Sequence, residues 1–171
     1  MLELIEITDS IQQEAMEYKE EFILNQEIMH GGAGLDSFDT FYDWLSSITD
    51  NSNVETIRPN RVLATTYFAR RDEDGKLVGI IDIRHTLNDF LLNFGGHIGY
   101  SVRKSERQKG YAKEMLGLAL NKCRSWGMDR VLITCDKVNP ASSKTILAHG
   151  GVLENEVPHD GVILQRYWIE L

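Results

Sequence analysis

The sequence predicts a mixed α/β domain, a sheet carrying helices on its faces. Three observations predict it. Segments whose apolar residues alternate every second position are interspersed with segments whose apolar residues recur every third and fourth. A strong hairpin sits mid-chain, Arg61 to Arg70 turning through Asp72-Glu73-Asp74-Gly75 into Leu77 to His85. Beyond it the chain reads helix, strand, helix, with a glycine stop after each helix.

In order, Leu2, Leu4 and the Ile5/Ile7 pair alternate with Glu3 and Glu6 as a first strand. Thr8-Asp9-Ser10 offers caps for a helix from Ile11 to about Met29, stopped by His30-Gly31-Gly32-Ala33-Gly34. Phe38, Phe41, Leu45 and Ile48 give a short second helix one apolar face. After a polar loop through Asn60 comes the hairpin, and His97 to Arg103 reads as another strand. It feeds a basic, glycine-containing turn and a helix whose stripe is Ala112, Met115, Leu116, Ala119, Cys123 and Trp126, ended by Gly127. Val131 to Asp136 is a short apolar strand, Asn139-Pro140 caps and starts a last helix, and Gly150-Gly151 ends it. Strands at about Val152–Val157 and Val162–Ile169 close the chain.

No repeat, low-complexity tract or linker divides these 171 residues, so residues 1–171 are read as one domain. A chain this long buries roughly 70% of its unfolded surface and needs no disulfide or metal staple. The net charge of −8 disfavours nucleic-acid backbones and anionic membrane surfaces as partners. Cys123 and Cys135 have neither a redox nor a zinc spacing, and the five histidines show no metal-ligand pattern, so a reducing compartment, by default the cytoplasm, and no metal are expected. The acidic start and the lack of an apolar run near ~18 residues argue against a signal peptide or a membrane span.

The stretch Arg107-Gln108-Lys109-Gly110-Tyr111-Ala112 carries most information, because it stands where a strand hands over to a long helix. Free N–H groups at a helix start, with the positive end of the dipole behind them, bind phosphate, and a glycine lets the main chain approach. Residues 103–113 carry a local charge of +4 in an otherwise acidic chain. A solvated basic turn before an ordinary helix is the competing explanation.

With these neighbours the chain resembles the GNAT N-acetyltransferase superfamily, whose pyrophosphate loop Arg/Gln-x-x-Gly-x-Gly/Ala is matched by Arg107, Gly110 and Ala112. Leu77-Val78-Gly79-Ile80, His97-Ile98-Gly99-Tyr100-Ser101-Val102 and Asn139-x-x-Ser-Ser-Lys144 extend the resemblance over nearly the whole chain. It implies a mostly antiparallel sheet of about six or seven strands flanked by about four helices, splayed between the strands near 97–103 and 131–136. It also implies acetyl-CoA as cosubstrate and an amine as acceptor, and homodimers are common among such proteins. Tyr100, Ser101 and Val102 would hold the pantetheine arm and polarise the acetyl carbonyl. Arg107, Gln108, Lys109, Gly110, Tyr111 and Ala112 would hold the pyrophosphate, and Asn139, Ser142, Ser143 and Lys144 would border the far side.

Two departures bear on chemistry. The tyrosine that many members place seven residues after the asparagine, as the acid for the leaving thiolate, is Ile146 here, leaving Ser142, Tyr100, Tyr111 or water. Where several relatives carry a basic glutamate the chain has Gly96 and His97, so His97 is the first candidate base and Asp82 and His85 are rivals. An acyl-CoA-binding module without turnover is the alternative to an enzyme, with Ile146 as its support. A serine or cysteine hydrolase acting through Ser101 or Cys135 is a weaker third reading, since Cys135 alternates with Val131 and Ile133 on an apolar strand face. The excess of acid outside residues 103–113 points to a cationic acceptor, a small molecule or a peptide end.

Overall fold

A computed structural model describes all 171 residues. Its strands are β1 (Leu2–Ile5), β2 (Ala64–Arg71), β3 (Leu77–Arg84), β4 (Ile98–Val102), β5 (Arg130–Asp136), β6 (Val152–His159) and β7 (Val162–Glu170). Its α-helices are α1 (Gln12–Leu24), α2 (Phe41–Asn51), α3 (Tyr111–Ser125) and α4 (Pro140–Leu147). The strands form two antiparallel sheets, ordered β1-β2-β3-β4 and β5-β7-β6. β4 and β5 are the facing edges. They are joined at one end, where His97 N–H donates to the Leu132 carbonyl at 2.7 Å and Leu132 N–H donates to His97 Nδ1 at 2.9 Å. Beyond that point no ladder connects them, so the chain splits where the resemblance implied.

Each face of the first sheet has its own core. Ile81 and Ile83 of β3 pack with Met115, Leu116 and Ala119 of α3, while Ile80 and Phe68 pack with Tyr18 and Phe22 of α1 and Trp44 of α2. Burial of both faces explains why β3 reads as a nearly unbroken apolar run, in which Asp82 and then Arg84 share the face of Ile80.

Two expectations shift. The first helix stops at Leu24, not Met29, because the Asn25 side chain turns back to the Glu21 carbonyl at 2.7 Å and Gln26 takes a φ of +54°. The second starts at Phe41, not Phe38, because Thr40 accepts the Asp43 N–H on its hydroxyl. Between β3 and β4 lies an unforeseen turn of π-helix, Leu91–Gly95. Its carbonyls are gripped from the second sheet by Arg166 Nη2, on Leu92, and by Thr134 Oγ1, on Phe94.

Candidate active site

The register of β4 decides which groups face the split. Arg84 N–H donates to the His97 carbonyl and Arg103 N–H to that of Val78, so the odd-numbered residues of β4 bond to β3. The main-chain groups of Tyr100 and Val102 therefore face the gap, and those of Ser101 face β3. Its hydroxyl lies 3.4 Å from Tyr18 Oη on the α1 side. The expected trio thus divides, with Tyr100 and Val102 on the gap and Ser101 off it.

At the open end of the gap, Gln108 and Gly110 adopt φ of +64° and +84° on either side of Lys109. The first hydrogen bond of α3 runs from Glu114 N–H to the Gly110 carbonyl, and none of the N–H groups from Gln108 to Lys113 has a partner. Six consecutive unpartnered donors at a helix start are an arrangement suited to an anion. The basic side chains are otherwise engaged. Arg107 holds Glu27 through both Nη atoms, at 2.9 and 2.6 Å, and its Nε bonds the Val102 carbonyl. Arg103 holds Glu21, and Lys109 holds Glu106 at 2.8 Å. Glu21 and Glu27 halve the local surplus of +4, and the Arg107 and Lys109 side chains support the turn instead of facing an anion. The Tyr111 hydroxyl accepts from Arg71 at 3.0 Å, so Tyr111, like Ala112, offers the site its N–H.

Across the gap, Asn139 caps α4 by accepting the Ser142 N–H at 3.2 Å, and Ser143 Oγ donates to the Pro140 carbonyl. Lys144 is exposed in the last turn. Ser142 Oγ lies 3.0 Å from Tyr100 Oη, so one hydrogen bond links β4 to α4. Burial pushes the Tyr100 phenol up to about 12, so it keeps its proton at neutral pH. Ile146 is fully buried among core residues. Burial also pushes the Cys135 thiol up to about 11, which denies it the thiolate that covalent chemistry needs.

Of the three candidate bases, His97 and Asp82 have their basic atoms engaged in the fold, and His85 has one ring nitrogen engaged. His97 is 7% exposed, and its Nδ1 lone pair is taken by Leu132 N–H, which leaves the proton on Nε2. Burial, helped by the nearby Arg84 charge, pushes it down to about 4, so it stays a neutral brace between the sheets. Asp82 is buried, with Oδ1 accepting from Thr66 at 2.8 Å and Oδ2 paired with Arg84 Nε at 3.0 Å. His85 lies on the other face of β3, bonded to Thr65 Oγ1 at 2.9 Å and stacked on Trp126. No three His, Cys, Asp or Glu side chains converge as metal ligands, and no helix is long and apolar enough to cross a membrane.

The α1–α2 side of β4 is covered by the Gly31–Gly34 loop. Gly31 has a φ of +73°, and a Cβ there would stand 2.2 Å from the Gly99 carbonyl, so only glycine allows this approach. Trp44 Nε1 donates to the Gly32 carbonyl at 2.9 Å and holds the loop down. Sequence reasoning missed Glu21 and Glu27 as the partners of Arg103 and Arg107. Arg84 has a legible signal, since it follows Asp82 at the strand period.

A split sheet, with a row of unpartnered N–H groups at a helix start at the mouth of the split, defines the class. The chain belongs to the GNAT acetyltransferases, because the family described as the acetyltransferase (GNAT) domain matches residues 4–152. Solved structures share the fold. A protein from Bordetella pertussis assigned to the GNAT-family acetyltransferases superposes with a TM-score of 0.71 at 17% identity, covering 98% of this chain and 95% of that one. The microcin C7 self-immunity acetyltransferase, solved with acetyl-CoA and AMP, gives 0.69 at 18% identity over 99% and 92%. The spermidine/spermine N-acetyltransferase of Vibrio cholerae gives 0.67 at 13% identity over 99% and 93%. No curated protein matches significantly by sequence.

Proposed function

We propose that this protein transfers an acetyl group from acetyl-CoA directly to an amine. The observation that carries the reading is the row of six unpartnered N–H groups from Gln108 to Lys113 at the mouth of the gap. A diphosphate matches it, and an extended amide-bearing arm matches the gap-facing main-chain groups of Tyr100 and the N–H of Val102, whose carbonyl Arg107 already takes. Acetyl-CoA supplies a thioester whose carbonyl those N–H groups would polarise.

The neutral amine nitrogen bonds to the acetyl carbon, the C–S bond breaks, the thiolate takes the Tyr100 Oη proton, and the nitrogen gives its surplus proton to water as the amide forms. Tyr100 fills the role that Ile146 leaves vacant, and Ser142 Oγ, 3.0 Å away, orients it and returns a proton from solvent. His97 and Asp82 are engaged in the fold and His85 lies against Trp126 on the other face of β3, so in this reading the acceptor loses its ammonium proton to water before attack. The net charge of −8 supports approach of an amine as a cation.

Release of CoA with a panel of amines separates this reading from that of an acyl-CoA-binding module, which the isoleucine at position 146 favours. Tyr100→Phe is expected to lower kcat by roughly 10²-fold while changing acetyl-CoA affinity less than about threefold. In the wild type kcat/KM is expected to rise with pH along the acceptor's own ionisation. An inflection that stays put when the acceptor changes would instead mark a base supplied by the protein.

A further inference from the structure

We propose that Arg84 binds an anionic group carried by the acceptor beside its amine, so that the acceptor is a small amino-acid-like molecule and not a polyamine. This rests on the acetyl-transfer reading. Asp82 and Arg84 share the α1–α2 face of β3, one strand from the gap. The buried Asp82 carboxylate is itself fixed by Thr66 and pins the Nε of Arg84 at 3.0 Å. That leaves the outer edge of the guanidinium. Nη2 has no partner, and Nη1 reaches only the Gly95 and Gly96 carbonyls, at 3.4 and 3.5 Å. The side chain is 24% exposed. A guanidinium oriented by a carboxylate on one edge and open on the other is the arrangement that takes a second, planar anion.

Its place matters as much as its open edge. Arg84 Nη1 lies 3.5 Å from the point where a Gly99 side chain would begin, and the Gly31 backbone lies 3.3 Å from the same point. The bare Cα of Gly99 thus leaves the guanidinium beside β4, one residue from the gap-facing main chain of Tyr100.

Matched acceptors test the proposal: an α-amino acid, its carboxamide and its decarboxylated amine, across several side chains, with CoA release as the signal. The amino acid is expected to exceed both partners in kcat/KM by at least about tenfold, through KM. Arg84→Gln is expected to reduce that advantage to less than about threefold, with rates for the plain amine and the thermal shift given by acetyl-CoA retained. Because Arg84→Gln strands a buried carboxylate, Asp82→Asn combined with Arg84→Gln, which removes both charges, is measured alongside. Equal rates for the three acceptors, or an equal loss with all of them in a folded variant, overturn the role of Arg84 and leave acetyl transfer standing. No CoA release with any amine overturns both.

Discussion

At Gly110 the chain needs a φ of +84° with nothing near the missing side chain, so two substitutions separate backbone strain from charge. Alanine costs about 1–2 kcal/mol of strain in the left-handed region but leaves the N–H row in place. Aspartate adds a carboxylate where the diphosphate belongs. Acetyl-CoA at about 100 times its Kd stabilises the wild type by ~2.7 kcal/mol, and thermal melts are expected to show that gain kept in Gly110→Ala and abolished in Gly110→Asp. A full shift in a folded Gly110→Asp would remove the phosphate site from this turn. Gly110 was legible because its conformation and its place before a helix are local properties. The roles of Arg107 and His97 were not. Arg107 pairs with Glu27, 80 residues earlier, and His97 accepts from Leu132, 35 residues later, and spacing cannot report partners that only the fold brings together.

Among elements, α1 and the loop after it bind the acceptor side to the cofactor side. Glu21 accepts from Arg103 and from the Ser105 N–H, Glu27 holds Arg107, and Trp44 of α2 holds Gly32 over β4. Trp44→Phe keeps an aromatic ring in the core and removes one buried bond to the loop, a loss of about 1–3 kcal/mol. It is expected to raise the acceptor KM several-fold and to leave acetyl-CoA affinity unchanged, as steady-state kinetics beside a binding titration will show. The apolar periods of β3, α2 and α3 made these elements readable, because each buries a face with a fixed repeat. The π-turn Leu91–Gly95 has no such repeat. It is held by carbonyl contacts to Arg166 and Thr134, which leave no pattern in its own sequence.

In the whole molecule, Glu106 joins parts that lie far apart in the chain: Arg71 of β2 at 2.8 Å, Lys76 before β3 at 2.7 Å and Lys109 of the turn at 2.8 Å. Hydrogen bonds from Lys109 and Lys76, with Arg71, hold this carboxyl down to about 2. A depressed carboxyl stabilises the fold above its unfolded value near ~4.3, and that contribution fades as pH falls from there through about 2. Melts of Glu106→Gln are expected to lie roughly 5–10 °C below wild type at pH 7 and to converge with it toward pH 2. A gap that persists at acid pH would mean packing, not charge, is lost. The strand and helix order was legible from patterning. The split between β4 and β5 came only from the family resemblance, since two facing edges read like any other strands. The overall charge is a coarse guide to the site, because Glu21, Glu27 and Glu106 are each paired with basic side chains inside the fold.

The central claim is that acetyl-CoA lies in the gap with its diphosphate on the start of α3, and an amide-resolved NMR titration with acetyl-CoA tests it most directly. The account predicts the largest shifts at the N–H groups of Gln108 to Lys113 and of Tyr100 and Val102, with Ser101, whose N–H faces β3, moving less. Saturable shifts centred elsewhere, or none, would contradict it.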